Sequence, residues 1–278
     1  MNRTHRILAL VAHPGDEALG LGAVLARYAD EGADVHLLCA TQGEAAPFGG
    51  SSRGAFPGPV LARMRERELE DSAAILGLRD VRMLGHPDGG LARVEPFRAQ
   101  MTVAAEIRRI RPQVVLLIGP HALWGHPDHV ALSQTTLGAV LAAARHSAPV
   151  SGGHAPHAVR KVYELGWTAA TRTAVERSAQ AGARRHTPAA IALPEWMVHA
   201  SLDTRRHAER ALEAVDRYRS QAMLRAGAAH TSRDDVLRAW ARADFSRTLS
   251  TVAVPEGIED DLLAGVRVPL IGGARAAA

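Results

Sequence analysis

The sequence predicts an α/β fold, a Rossmann-like, mostly parallel sheet flanked by helices, on three observations. Two runs, Ile7 to Ala12 and Val114 to Gly119, are continuously apolar, the pattern of strands buried on both faces rather than strands with one wet face. Between such runs apolar residues recur at helical spacing, as in Leu61, Met64, Leu69, Ala73 and Leu76, so strand and helix alternate. No low-complexity linker divides the 278 residues, which suffice to bury a sizeable core. One domain is expected over residues 1–278, with 1–145 as its core and 146–278 as a C-terminal helix and strand extension.

Strand one ends near His13, because Pro14 forbids its simple continuation. A helix from Glu17 to Tyr28 follows, with Leu19, Ala23, Val24 and Ala26 on one face. His13, Gly15, Asp16 and Glu17 therefore lie between a strand C-terminus and a helix N-terminus, where open α/β sheets bind ligands. Strand two, Asp34 to Thr41, delivers Thr41, Gly43 and Glu44 to the same edge and carries Cys39 in its core. Residues Ala45 to Pro59, rich in Gly, Pro and Ser, read as a long loop or lid able to turn Phe48, Arg53 and Phe56 toward a substrate. Helix Leu61 to Gly77 has Arg65 near its start. Strand three, Val81 to Gly85, leads into His86-Pro87-Asp88-Gly89. A helix over Glu95 to Ile110 is broken by Arg111-Pro112 before strand four, which exits toward His126-Pro127-Asp128-His129 and a helix over Val130 to Ala144. Ser147 to His157 is a loop whose His154 and His157 carry no motif. Val159 to Leu165 and Ala189 to Leu193 read as strands with a polar helix between them. Thr204 to Gln221 reads as one long helix, Arg233 to Arg242 as a further helix and Phe245 to Val254 as a strand.

A His and a carboxylate three residues apart, such as His13 and Asp16, can point at one cation, since both donor types suit Zn²⁺ at about 2.0–2.2 Å. A single strand-end histidine is ordinarily a capped or surface side chain. Two constellations, each following a buried strand, point instead to a metal, with His126-Pro127-Asp128-His129 the best source of a further ligand. Other function classes are excluded. Net charge is +4, but the arginines are scattered, Lys161 is the only lysine and aromatics for base stacking are 4%, so nucleic acid is not an expected partner. The single cysteine rules out an intramolecular disulfide. The first apolar run is too short for a secretory core and no run reaches membrane-spanning length, so a cytoplasmic protein without a membrane partner is expected. Gly20-Leu21-Gly22 lacks the third glycine of a dinucleotide fingerprint, and G-x-S-x-G is absent.

The segments AHPGDEALG (Ala12 to Gly20), TQGEA (Thr41 to Ala45), RERELEDSAAILGL (Arg65 to Leu78), HPDGGL (His86 to Leu91), PHALWGHPDH (Pro120 to His129) and RYRSQ (Arg217 to Gln221), in this order, resemble the LmbE-like or PIG-L family of zinc-dependent amide hydrolases. PHALWGHPDH is most similar to the mycothiol-type deacetylases and conjugate amidases. The resemblance implies Zn²⁺, or Fe²⁺, held by His13, Asp16 and His129 with a position left for water. It implies that His126, which Asp128 could orient, stabilises the oxyanion and protonates the leaving amine. It places Glu44, Arg65, Asp88 and Trp124 on the substrate side, Asp88 with a sugar-hydroxyl or structural role, and gives His86 no metal. Gly15 departs from the pattern, standing where the family has the Asp that serves as general base, which leaves Glu17 or Glu44 as candidates. The implied function is hydrolysis of an amide on an amino-sugar or natural-product conjugate, a small-molecule substrate. The alternative is a non-hydrolytic or divergent member that keeps metal and pocket.

Overall fold

A computed structural model gives the architecture and describes residues 4–45, 57–119, 122, 126–173, 191–221 and 233–267. The apolar run of the first strand, β1 (Arg6–Val11), separates two cores because successive side chains of a strand point to opposite faces. Ile7, Ala9 and Val11 join Val114, Leu116 and Ile118 of β4 (Val114–Ile118) under α1 (Gly22–Asp30) and α2 (Gly58–Leu76). Leu8, Leu10 and Ala12 join Val115 and Leu117 under α3 (Pro96–Ile110) and α4 (Pro127–Ala144). Burial on both faces is why these strands lack a polar alternation.

The seven-stranded sheet adds β2 (Asp34–Thr41), β3 (Asp80–His86), β5 (Lys161–Gly166), β6 (Ala200–Asp203) and β7 (Arg242–Ser250), in the order β3-β2-β1-β4-β5-β7-β6. Strands β1 to β5 are parallel, and β7 runs antiparallel to both β5 and β6. The chain winds outward from β1 to β3 and then crosses to β4 on the other side of β1. This reversal opens a crevice at the C-terminal ends of β1 and β4. Helix boundaries follow local chemistry. Glu95 caps α3 by accepting from the Phe97 and Arg98 amides, with Pro96 in the first turn, and Arg111 ends it at φ 58°. Gly77, at φ 78°, ends α2.

Five expected elements differ. The first helix opens as a π turn (Glu17–Leu21) before α1 begins, and this rotates Glu17 into the interior. The long helix expected over Thr204 to Gln221 is a 3₁₀ turn (Arg205–His207), α5 (Ala208–Val215) and then turns, because Tyr218 leaves helical register to reach Glu17. Residues 191–193 are not a strand: the Leu193 amide bonds to the Trp167 carbonyl, and Pro194 cannot donate to extend a ladder. The strand of this region is β6, and its edge is covered by Glu259, whose backbone pairs with His199 and Ser201. The last strand starts earlier than expected, at Arg242, and the helix before it, α6 (Arg233–Ala239), ends sooner. Among the described residues no helix is long and apolar enough to cross a membrane. Most of the expected lid, with Phe48, Arg53 and Phe56, lies outside the described residues, as do Trp124 and most of the polar helix after β5.

Candidate functional site

Pro14 and Gly15 turn the chain sharply after β1, and the Asp16 carboxylate fixes the turn by accepting the His13 amide at 2.8 Å. The same oxygen, Oδ2, lies 3.3 Å from His13 Nδ1 and 3.4 Å from His129 Nε2, the latter on the first turn of α4. The ligand-type atoms of His13, Asp16 and His129 all fall within 4.8 Å of one another. Charge-assisted N–H···O bonds run shorter, at about 2.7–2.9 Å. Spacings near 3.4 Å instead match the edge of a tetrahedron with bonds of about 2.1 Å, so these donors fit a zinc-sized cation better than they fit each other. The carboxylates favour positive charge at this point. Burial alone would remove the charge from His13, but the Asp16 and Asp88 carboxylates outweigh it and push its pKa up to about 10. Burial works against ionised Asp16 too, yet His129 and His13 pull its pKa down to about 2. Burial lowers the pKa of His129, against the opposing pull of Asp16.

The other edge of the His13 ring, Nε2, faces Asp88 Oδ1 at 3.1 Å and Asp128 Oδ2 at 3.3 Å. Asp128 is fully buried and does not orient His126 through its carboxylate, as the sequence suggested. Its oxygens accept the Gly89 and Leu91 amides at 2.8 and 3.1 Å, tying the turn after β3 to α4. His126 is oriented instead by the Asp128 backbone amide, which donates to its Nδ1 at 3.2 Å, so His126 caps α4. A second grouping, His13, His126 and Asp128, also has ligand-type atoms within 4.8 Å. It fits a metal less well, since both Asp128 oxygens are already taken by amides.

Arg65 is buried and donates to the Pro14 carbonyl at 2.6 Å and to the Gly43 carbonyl, clamping the turns after β1 and β2 together. Gly43 must be glycine here: at φ 67°, an added Cβ would run into the Arg65 guanidinium. Glu44 accepts the Asp88 amide at 3.0 Å, and Asp88 accepts the Ala45 amide at 3.2 Å. Glu17 is turned away from the crevice, which corrects its candidacy as base. Its carboxylate accepts from the Gly15 amide, Ser72 and Tyr218 at 2.8, 2.7 and 2.6 Å in a fully buried position. Burial pushes its pKa up despite those three donors. A cleft of about 400 Å³ opens over His13, Gly15, Asp16, Arg65, Asp88 and His126. Gln221 also lines it, with a buried Nε2 that has no hydrogen-bond partner among the described residues. Sequence reasoning marked RYRSQ as a motif but gave Gln221 and Tyr218 no place, because only the folded chain brings them within reach of residues 13–17.

Residues 8–140 match the model of the family PIG-L, GlcNAc-PI de-N-acetylase. The chain is 35% identical to a 1D-myo-inositol 2-acetamido-2-deoxy-alpha-D-glucopyranoside deacetylase of Kineococcus radiotolerans, over 66% of this chain and 58% of that protein, so it spans little more than half of that relative. A protein of the same name from Geodermatophilus obscurus is 31% identical over 96% of this chain and 99% of its own length. Among solved structures, the conserved protein TT1542 of Thermus thermophilus superposes with a TM-score of 0.63 at 26% identity, covering 90% of this chain and 98% of that one.

Proposed function

The chain belongs to the PIG-L family, and from that premise we propose that it hydrolyses the N-acyl amide of an amino-sugar or natural-product conjugate, with a zinc ion held by His13, Asp16 and His129. The observation that carries this reading is the 3.3 and 3.4 Å spacing of Asp16 Oδ2 from the two imidazoles, at the floor of a 400 Å³ cleft. A bound Zn²⁺ supplies Lewis-acid activation of water and of the amide carbonyl near neutral pH, and Fe²⁺ suits the same two histidines and carboxylate.

The chain's own groups do the rest. Because His126 Nδ1 accepts the Asp128 amide, the proton of the neutral ring sits on Nε2. That N–H can donate to the amide oxygen as negative charge gathers there, while the departing amine would take up the proton that the attacking water gives up, since a neutral ring has none to spare. Arg65 shapes the cleft by holding the turns after β1 and β2 at a fixed distance. Inositol-linked N-acetylglucosamine, the substrate in the names of the relatives above, is the first compound to try.

A second reading, a member that binds such conjugates without hydrolysing them, is favoured by one observation. Gly15 offers no carboxylate, Glu17 faces the interior and Glu44, with Oε1 on the Asp88 amide and Oε2 buried, does not line the cleft, so among the described residues neither candidate base reaches it. Elemental analysis and primary-amine release on one preparation separate the two. The hydrolase reading expects about one transition metal per chain, lost in His13→Ala and His129→Ala, together with amine release. Metal and ligand binding with no amine from any amide tried would establish the second reading, and full metal occupancy in both variants would remove the ligand assignment.

A further inference from the structure

We propose that Asp128 is a positioning residue for His13, holding that ring from behind, so that the first turn of α4 supplies one metal ligand, His129, and aims the other. This role rests on the ligand assignment above and concerns the edge of the His13 ring that the assignment leaves unused. A neutral ring that turns its Nδ1 lone pair to a metal keeps its one proton on Nε2. An imidazole N–H points along a fixed line in the ring plane, so direction as well as distance decides which group accepts it. Asp128 Oδ2, at 3.3 Å, is the hydrogen-bond partner of His13 Nε2. Asp88 Oδ1, at 3.1 Å, stands beside the same nitrogen as a charge contact. The Nε2–H therefore goes to Asp128.

The Asp128 carboxylate is itself fixed. It is fully buried, its Oδ2 also accepts the Gly89 amide at 2.8 Å, and its Oδ1 accepts the Leu91 amide at 3.1 Å. Two backbone donors from the turn after β3 thus hold the carboxylate against rotation, and the His13 ring takes the orientation it offers. Asp128 lies between His126 and His129 in the chain, yet its carboxylate turns to a histidine 115 residues away. The turns after β1 and β3 and the start of α4 are joined at this one side chain. A carboxylate behind a ligating imidazole fixes its tautomer and rotation and raises its basicity, and removing such a partner typically weakens metal binding about 10–100-fold.

The test is Zn²⁺ affinity, measured on metal-free full-length protein by competition with a chromophoric chelator. Asp128→Ala is expected to bind Zn²⁺ about 10–100-fold more weakly than wild type. Asp128→Asn keeps an oxygen that can accept the Nε2–H and recovers part of that loss. Nitrogen-15 spectra of the zinc-loaded histidine rings supply a second readout, one that a merely structural carboxylate would not move. The His13 Nε2–H signal shifts in Asp128→Asn, where a neutral acceptor replaces a charged one, and shifts less in Asp88→Asn. Should Asp128→Ala fail to fold, this pair of asparagine variants decides the matter. A His13 signal that stays in place in Asp128→Asn, or that moves further in Asp88→Asn, overturns the inference. So does unchanged Zn²⁺ affinity in folded Asp128→Ala, which would leave Asp128 only its hold on the turn after β3. Failure of wild type to bind Zn²⁺ at all overturns the ligand assignment beneath it instead.

Discussion

Gly15 sits at φ 104°, a backbone angle that a residue with a Cβ adopts only under strain of roughly 1–3 kcal/mol, and its amide is committed to Glu17 at 2.8 Å. Placing an aspartate there brings a carboxylate to the cleft but also loads the turn that holds His13 and Asp16. Gly15→Asp is accordingly expected to melt a few degrees below wild type and to bind metal less tightly; a variant of unchanged melting temperature with faster amide hydrolysis would show that the turn tolerates the side chain. Glu17 gives the complementary case. Glu17→Gln puts an NH₂ group against one of three donors in a site closed to water, so a loss of about 1–3 kcal/mol in urea unfolding is expected. A Glu17→Gln protein as stable as wild type but catalytically dead would return Glu17 to the chemistry. These two residues also mark where the sequence could be read and where it could not. His13, Asp16, His126 and His129 were visible because residue type and spacing after a buried strand already restrict the chemistry. The direction of Glu17 was not, since an acidic residue at a helix start is ordinarily solvated, and only the π turn rotates this one inward.

At the scale of one strand, β2 carries an acid-sensitive group far from the cleft. His36 is 9% exposed, both its ring nitrogens are buried without a hydrogen-bond partner among the described residues, and the Asp80 carboxylate lies 3.8 Å away. Burial lowers its pKa below 6.5, with Arg109 and Arg6 acting in the same direction and Asp80 and Asp34 opposing them. The unfolded chain therefore takes up this proton near pH 6.5, while the folded chain takes it up only at lower pH. Between those values the unfolded state binds more protons, and stability falls as pH drops through the window. His157, also lowered by burial, adds to the slope. Melting temperature should decline from about pH 7 to about pH 5, and His36→Leu should flatten the decline; an identical slope in both proteins would assign the effect to other groups. Strands like β2 were legible to the residue, because a mostly apolar run between charged and glycine-bearing turns admits little else. β6 and the start of β7 were not. Their sequences, ASLD and RADF, owe their strand conformation to pairing with each other, which no local pattern announces.

At the scale of the molecule, the parallel half of the sheet is joined to the chain's far end through one buried charge cluster. Lys161 Nζ, at the start of β5, lies 2.7 Å from Glu259 Oε1, while Arg247 of β7 lies 3.2 Å from Oε2 and the Tyr163 hydroxyl donates to the same oxygen. Two residues on, Tyr28 of α1 donates to Asp261 at 2.9 Å and accepts the Leu262 amide at 2.7 Å. The segment around residues 259–262 thus fastens β5, β7 and α1 together. The cluster holds two cations against one carboxylate, so its members are unequal. Glu259→Ala leaves Lys161 and Arg247 buried or half-buried without their counter-ion and should cost about 3–5 kcal/mol, the usual penalty for stranding a buried charge. Lys161→Met fills the space with an apolar chain and leaves Glu259 its Arg247 and Tyr163 partners, so its loss should be clearly smaller. The cluster begins at the N-terminal end of β5, whereas the histidines stand at the C-terminal ends of β1 and β4, so Zn²⁺ affinity of the folded Glu259→Ala protein should match wild type. Urea unfolding of the two variants beside a zinc titration checks both halves. Equal losses would mean that the cluster acts as packing rather than as paired charge, and a parallel fall in zinc affinity would mean that this end of the molecule and the cleft unfold as one unit.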